Sequence, residues 1–225
     1  MKVLVACEES QEVCKAFREL GHEAYSCDLQ ECSGGHTEWH IKGDALAVLM
    51  GDTSFNTQNG RFHEIEGRWD LIIAHPPCTY LSNAGACRLF PKAGEMDAKR
   101  YAKGLEGKLF FMAFWYYGYY GGGEIVIENP IPSKVFDLPK PTNIIQPHYF
   151  GEPYSKKTYL WEFGVPPLMP TLLEEDFRPF LPSGTSRKLG GGSYGKDGLP
   201  HEGKARSKTF TGIAKAMAQQ WGGQA

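Results

Sequence analysis

Residues 70–83 constrain the fold more than any other part of the sequence, because a short apolar run there ends on His-Pro-Pro-Cys. The run at 70–74, Asp-Leu-Ile-Ile-Ala, is typical of a buried parallel strand. Pro76 and Pro77 end it, since proline donates no ladder hydrogen bond and restrains the residue before it. Cys78 is therefore predicted just past the carboxyl end of a strand, where ligands bind in open α/β sheets. It is a candidate nucleophile, although a small buried loop residue would also explain it.

A second strand with the same kind of end follows later in the chain. Residues 124–127 are a second run that predicts a buried strand, and Glu128-Asn129-Pro130 come directly after it. If the two strands are parallel neighbours, their carboxyl ends meet, and Cys78 and Glu128 lie side by side. A solvated strand end also explains Glu128, but a carboxylate directly after a buried strand favours a functional role.

The rest of the chain alternates strands and helices, which predicts an α/β fold. Residues 2–7 and 22–27 predict strands around a helix that Ser10 caps and Gly21 ends, giving a complete β-α-β unit. Residues 53–67 are polar and rich in turn residues, and are predicted to be loop. The further elements predicted are a strand at 40–42, helices at 45–50, 97–119 and 211–221, a strand at 124–127, and paired strands at 143–150 and 157–163.

These elements predict a Rossmann-like, mostly parallel sheet with helices on both faces. Strands 2–6, 70–74 and 124–127 are expected to share it, and the late pair within 143–163 is expected to give one antiparallel edge strand. A hydrophobic content of 41% supplies a core. The aromatic cluster at 110–117 is apolar nearly all round, which predicts that most of it is buried.

The first turn lacks the glycines of a dinucleotide-binding loop. Cys7-Glu8-Glu9-Ser10 carries two carboxylates instead, which repel a pyrophosphate but tolerate a cationic or zwitterionic cofactor such as S-adenosylmethionine. Asp28 ends the second strand, where an acidic residue commonly binds ribose hydroxyls. Asp44 is in a position to bind an adenine amino group, to cap the helix at 45–50, or to do both.

Charge and residue type mark two further segments. The net charge of −2 does not identify the whole chain as a nucleic-acid binder, but residues 183–215 carry seven Lys or Arg against two carboxylates. Such a patch serves phosphate contacts or is an ordinary solvated loop, and the glycines within 183–208 predict mobility without nucleic acid. No metal site is predicted, because the spacing of four ligand-type residues does not favour zinc: Cys27, Cys32, His36 and His40.

The sequence also gives an expectation about location. The longest apolar run, at 109–120, is too short to span a bilayer, and the first residues show no signal-peptide pattern. We therefore expect a cytoplasmic protein with no membrane partner and with reduced cysteines.

The chain resembles a compact DNA (cytosine-5) methyltransferase of the kind carried by phages, over about residues 2–163 and 205–221. Pro77-Cys78 resembles the nucleophile loop of that family, and Glu128-Asn129 resembles its Glu-Asn-Val element, with proline here in place of valine. Weaker similarities cover the cofactor motifs, the segment with the basic motif at 146–158 and the C-terminal element at 206–218. The glycine-free first loop and the missing Gln-x-Arg-x-Arg pattern are departures from the family.

The resemblance implies a Rossmann-like methyltransferase fold and a role for each group of residues. The catalytic set is Pro77, Cys78, Glu128 and Asn129: the thiolate of Cys78, favoured by a following helix N-terminus or loop amides, adds to cytosine C6, and Glu128 holds N3 and the exocyclic amine. The S-adenosylmethionine site comprises Cys7, Glu8, Glu9, Ser10, Asp28, Asp44 and Pro76. Contacts to duplex or single-stranded DNA fall to Lys156, Lys157, Arg187, Lys188 and Arg206.

The resemblance also divides the chain. Residues 1–164 and 205–225 correspond to the catalytic domain, and the short Gly/Pro-rich basic insertion at 165–204 stands where the family has a target-recognition region. A phage-encoded enzyme would work in the host cytoplasm. Two alternatives stay open: an amino methyltransferase acting on cytosine N4 or adenine N6, because residues 75–78 are one step from its Pro-Pro-aromatic loop, and a non-catalytic nucleic-acid-binding relative.

Overall fold

A mostly parallel, seven-stranded mixed sheet forms the centre of the protein in a computed structural model, which describes residues 1–51, 53–86, 88–152, 155–172 and 208–223. The strands are β1 (Lys2–Ala6), β2 (Glu23–Asp28), β3 (His40–Lys42), β4 (Ser54–Asn56), β5 (Phe62–Glu64), β6 (Leu71–Ala74), β7 (Glu124–Pro130), β8 (Asn143–Ile145) and β9 (Thr158–Phe163). The helices are α1 (Glu12–Glu19), α2 (Ala45–Met50), α3 (Asn83–Ala86), α4 (Ala98–Tyr119) and α5 (Thr211–Met217).

The strand order is β3-β2-β1-β6-β7-β9-β8, with β1, β2, β3, β6 and β7 parallel. The prediction that strands 2–6, 70–74 and 124–127 share one mostly parallel sheet is therefore confirmed. From β1 the chain adds β2 and β3 on one side of the sheet, and it then crosses to the other side of β1 to form β6 and β7. This reversal makes the carboxyl ends of β1 and β6 a topological switch point, where open α/β sheets bind their ligands.

The late strand pair forms one edge of the sheet with antiparallel pairing, as predicted, but the edge strand itself is not the antiparallel one. β9 is antiparallel to both of its neighbours, β7 and β8, so it lies inside the sheet and β8 forms the edge. The strand predicted at 143–150 is also shorter, because Pro147 begins a 3₁₀ turn that runs to Phe150. Residues 53–67 are not all loop, since β4 and β5 pair there as a small antiparallel sheet.

Both faces of the sheet are buried, which explains why its central strands are continuously apolar. Alternate residues of β1 point to opposite sides: Val3 and Val5 pack with α1 and α5, whereas Leu4 and Ala6 pack on the side of α2 and α4. The predicted final helix is confirmed as α5, continued by a π-helical turn at Ala218–Gly222. Its residues Ile213, Ala216 and Met217 are buried as predicted.

Helix α4 is less buried than its sequence predicts. Asp97 caps it through a side-chain hydrogen bond from the Arg100 amide, but within the cluster at 110–117 only Phe111 and Phe114 are fully buried. An all-apolar helix carries no pattern that fixes which residues face the sheet. Within the described residues, no helix combines the length and the apolar character needed to cross a bilayer.

Two glycines of α4 give a matched test of this packing. A Cβ at Gly104 would lie 2.1 Å from Cζ of the buried Phe136, whereas a Cβ at Gly107 would lie 3.4 Å from Cγ of Leu81. We expect Gly104→Ala to lower the free energy of unfolding by about 1–3 kcal/mol through overpacking. Gly107→Ala should raise it by up to about 1 kcal/mol through helix propensity. Urea unfolding of both variants checks this, and equal effects would contradict the packing of α4 on Phe136.

Candidate active site

The carboxyl ends of β6 and β7 bring the two sequence motifs together. The strands are parallel neighbours with Ala74 opposite Ile127, so the next residues, His75 and Glu128, also meet. Nδ1 of His75 lies 3.1 Å from Oε2 of Glu128. The sequence predicted that Glu128 directly follows the strand, but Glu128 lies within β7. The strand is longer than predicted because β9 continues to pair with β7 after β6 has ended.

Hydrogen bonds between the two strand-end loops hold this arrangement. The Asn129 side chain is fully buried, and its amide donates to the Pro76 carbonyl at 3.2 Å. Two backbone bonds continue the connection, from Asn83 N–H to the Ile131 carbonyl at 2.8 Å and from Ser133 N–H to the Leu81 carbonyl at 2.7 Å. The loop that carries Cys78 is thus fastened to the chain after β7.

Cys78 lies in a tight turn just past the two prolines. Its carbonyl accepts hydrogen bonds from the amides of Leu81 at 3.1 Å and Ser82 at 2.8 Å. Burial raises the pKa of the Cys78 thiol, the negative charge of Glu128 raises it further, and Lys156 opposes the shift. A backbone hydrogen bond at Cys78 lowers this pKa, in the direction expected of local amides, but burial and the charge of Glu128 outweigh it. The net shift therefore disfavours the thiolate in the free protein.

Two carboxyl groups act on His75: that of Glu128, which is hydrogen-bonded to it, and that of Glu8, through its charge. Burial lowers the pKa of His75, but the hydrogen bond and charge of Glu128, together with the charge of Glu8, raise it overall. Burial raises the pKa of Glu128, but the hydrogen bond and charge of His75 and the charge of Lys156 lower it overall. These opposite shifts favour the charge-separated form of the pair, an imidazolium and a carboxylate.

Lys156 borders the same site. A small cleft beside Glu128 is lined by Lys156, Thr158, Lys208, Thr209, Phe210 and Ile213, and the Lys156 ammonium lies 5.7 Å from the centre of the Phe210 ring. Lys157, predicted with it as a DNA contact, is exposed on the surface. Lys156 is thus in a position to act on the reactive groups through its charge.

We expect Lys156→Met to slow alkylation of Cys78 by iodoacetamide at pH 8 by roughly threefold to tenfold, because the thiol pKa rises when the opposing positive charge is lost. Lys157→Met, on the exposed neighbour, is the control and should react at the wild-type rate. Mass spectrometry of the modified peptide measures both rates. Equal rates for wild type and Lys156→Met would show that the ammonium does not act on the thiol.

The first loop is filled by its own side chains. The Glu8 carboxylate accepts hydrogen bonds from the amides of Val13 at 2.7 Å and Cys14 at 3.2 Å, at the start of α1. Ser10 is therefore not the helix cap; Gln11 occupies the cap position with a φ of 60° and no capping bond. Because a carboxylate already occupies this helix N-terminus, the site does not accept a pyrophosphate there.

Residues 33–36 cover this loop. The Ser33 hydroxyl donates to the Glu9 carboxylate, and the His36 amide donates to Oε1 of Gln11 at 3.0 Å. Gly34 permits the close approach, since a Cβ there would lie 2.5 Å from the Ser10 carbonyl oxygen. Of the residues predicted to bind a cofactor, Glu8, Glu9 and Ser10 are thus buried beneath another segment.

Asp28 ends β2 and Asp44 follows β3, so both lie at the carboxyl ends of neighbouring strands, within electrostatic reach of Cys7. The charges of both aspartates act on Cys7 and on Cys27, and burial together with these charges raises the pKa of Cys27 to about 12. Asp28 accepts a hydrogen bond from the Gln30 amide at 2.8 Å. Asp44 accepts one from the Leu46 amide at 2.9 Å, which confirms its predicted role as the α2 cap.

The remaining predicted residues are distributed as follows. Pro76 is buried and Pro77 exposed at the rim of the site. Arg187, Lys188, Arg206 and most of the predicted insertion at 165–204 lie outside the described residues. Across the part of the chain that the structure describes, no three potential ligands gather into a metal site. Of the four residues considered for zinc in the sequence, His40 has both ring nitrogens in hydrogen bonds, to the Ser26 hydroxyl and the Gln30 carbonyl.

Sequence reasoning missed the role of His75, which it used only to separate this loop from that of amino methyltransferases. It also missed the charge of Lys156 at the reactive groups. Strand alternation carried one signal, because His75 is two residues after Ile73 and therefore lies on the same face of the sheet. Nothing in the sequence pattern indicated that the charge of Glu8 acts on His75.

The sequence matches no protein-family model, and no curated protein matches it significantly.

Proposed function

We propose that this protein transfers a methyl group to C5 of cytosine in DNA. The observation that carries the proposal is the convergence of Cys78 and Glu128 at the carboxyl ends of two adjacent parallel strands. The reaction needs a thiol to add to C6 and a carboxyl group to bind N3 and the exocyclic amine. The resemblance of Pro77-Cys78 and Glu128-Asn129 to the motifs of cytosine-5 methyltransferases supports the same assignment.

The chemistry explains why these two residue types are needed. Cytosine C5 is too weak a nucleophile until the Cys78 sulfur bonds to C6. This bond shifts the π electron pair of C5=C6 to the C4–C5 bond and the π electron pair of C4=N3 to N3. N3 then takes a proton from the Glu128 side of the site. Once C5 has been methylated, it loses its proton to a base, the C5=C6 bond forms again and the Cys78 thiolate leaves.

The pair of aspartates at the strand ends, Asp28 and Asp44, supports S-adenosylmethionine as the cofactor, which supplies an electrophilic methyl group on a sulfonium centre. Each of Asp28 and Asp44 uses one oxygen for a backbone amide, so its second oxygen is available to ligand hydroxyl or amino groups. Leu29, directly after Asp28, is 75% exposed and offers an apolar surface for a base. Two carboxylates also suit a sulfonium, whereas Glu8 at the start of α1 disfavours a dinucleotide.

The site requires that the base leave a DNA duplex before reaction, because Cys78 and Glu128 are partly or fully buried. Lys156 lies beside Glu128 and Lys157 lies on the adjacent surface, so both suit phosphate contacts. Arg187, Lys188 and Arg206 are proposed as further contacts on the sequence alone.

The test is incubation with methyl-labelled S-adenosylmethionine and DNA of mixed sequence, followed by nucleoside analysis. Label in 5-methylcytosine is expected, and DNA with 5-fluorocytosine should trap a covalent adduct at Cys78. Label in N4-methylcytosine or N6-methyladenine would overturn the proposal in favour of an amino methyltransferase. DNA binding without transfer of label would favour a non-catalytic relative.

A further inference from the structure

His75 is the group that distinguishes this site from a simple pair of thiol and carboxyl. It contacts Glu128 directly, at 3.1 Å, and the two side chains are only 11% and 16% exposed. Its Nε2 atom is buried and has no hydrogen-bond partner among the described residues. Glu128 is therefore the residue to which this ring is hydrogen-bonded, and water does little to screen the contact.

The charged surroundings of His75 come from every element packed around it. Glu8 acts on the ring from the β1–α1 loop, Glu128 from β7, and Lys156 from the segment before β9. Cys78, on the same loop as His75, is also within the electrostatic reach of Glu128. The hydrogen bond and charge of Glu128 are the main influences that favour a positive imidazole. The charge of Glu8 adds to them, but burial raises the pKa of Glu8 itself and so reduces that charge.

This distribution of charge raises a question for the proposed reaction. N3 of cytosine must receive a proton as the Cys78 sulfur adds to C6, but an ionised Glu128 has none to give. In the charge-separated form of the pair, Nδ1 of His75 carries a proton and donates it in a hydrogen bond to Oε2 of Glu128, 3.1 Å away.

We propose that His75 is a positioning residue that orients the Glu128 carboxyl group and supplies, through it, the proton taken up by N3 of the target base. The inference rests on the proposed function. As the S–C6 bond forms and the C4=N3 pair moves to N3, a proton passes from Nδ1 of His75 to Glu128 and from Glu128 to N3. It returns along the same path when Cys78 leaves, so the pair ends each cycle with the proton that it held at the start.

The proposal predicts the pH dependence of adduct formation. The rate should rise with pH while the Cys78 thiol ionises and the His75–Glu128 pair keeps its shared proton, and it should level off where the pair loses that proton. The levelling follows the raised pKa of His75, because above that pKa each gain in thiolate is offset by loss of the shared proton. Without the imidazole, Glu128 itself must hold the proton, and the rate levels off at a lower pH.

The first experiment measures the rate of adduct formation on 5-fluorocytosine DNA against pH for wild type, His75→Gln and His75→Asn. We expect a loss of roughly tenfold or more at pH 8, with a smaller loss at pH 6. The control is Glu38→Gln, which removes a similar imidazole–carboxylate contact, His36 to Glu38 at 2.9 Å, from an exposed site. Its profile should match wild type, and an unshifted profile in both His75 variants would overturn the proposal.

A second measurement does not depend on the reaction. In the free protein, NMR titration of the ring of His75, assigned by comparison with His75→Gln, should give a lower midpoint in Glu128→Gln than in wild type. An unchanged midpoint would overturn the proposal even if methyl transfer is observed. Conversely, a lowered midpoint in a protein without transferase activity would support the pair and contradict the proposed function alone.

Discussion

Replacing Cys78 with serine is expected to reduce methyl transfer to cytosine below detection while leaving fold and cofactor binding intact. A serine hydroxyl near neutral pH is a far weaker nucleophile than a thiolate, so addition to C6 fails. Circular dichroism, calorimetry with S-adenosylmethionine and a label-transfer assay measure the three properties separately. The 5-fluorocytosine adduct should disappear together with the activity.

Cys32 provides the matched control for this substitution. It is a free, partly exposed cysteine on the β2–β3 connection, remote from β6 in the strand order, and Cys32→Ser should retain activity. Cys87, the cysteine next after Cys78 in the chain, lies outside the described residues and is not used as a control. Cytosine methylation by Cys78→Ser at nearly the wild-type rate would contradict the mechanism and move the amino-methyltransferase hypothesis to first place.

Glu128→Gln is expected to slow transfer by roughly a hundredfold or more, the usual contribution of a general acid or base. A glutamine amide still contacts the base, but it can neither pass a proton to N3 nor pair with the charge of His75. Single-turnover transfer of label measures the chemical step. Because the negative charge that raises the Cys78 pKa is also lost, iodoacetamide should modify the variant faster than wild type.

Glu124→Gln is the control in the same strand. Glu124 is exposed at the opposite end of β7, so its substitution should change neither rate. If Glu128→Gln transfers methyl groups at the wild-type rate, Glu128 has no part in proton transfer. If Glu128→Gln slows methyl transfer but leaves the alkylation rate of Cys78 unchanged, the charge of Glu128 does not act on the Cys78 thiol.

The sequence predicts the site best where backbone rules act. Proline fixes the end of β6, and strand composition predicts that β6 and β7 are parallel and buried, so the meeting of Cys78 and Glu128 follows from chain geometry. The role of Asp44 as the cap of α2 was also predicted correctly, because a helix cap depends on residues next to it in the chain. These predictions need only local interactions and one assumption about strand neighbours.

What the sequence does not predict depends on contacts between distant segments. Glu8 caps α1 and acts through its charge on His75, sixty-seven residues later, and no local pattern in the sequence predicts that interaction. The protonation of Cys78 is another case, since burial and the charge of Glu128 decide it rather than nearby amides. The pairing of β4 with β5 was missed because polar, turn-rich segments can form short hairpins when another part of the protein covers them.

The packing of α5 against α1 has a consequence for how the protein is made. Val13 and Phe17 of α1 share one core layer with Ile213 and Met217 of α5, so this side of α1 is covered only after residue 217 has been synthesised. Until then, the apolar side of α1 stays open to water and to other nascent chains. The layer between α1 and α5 therefore closes late during synthesis, and the growing chain is prone to aggregation before it does.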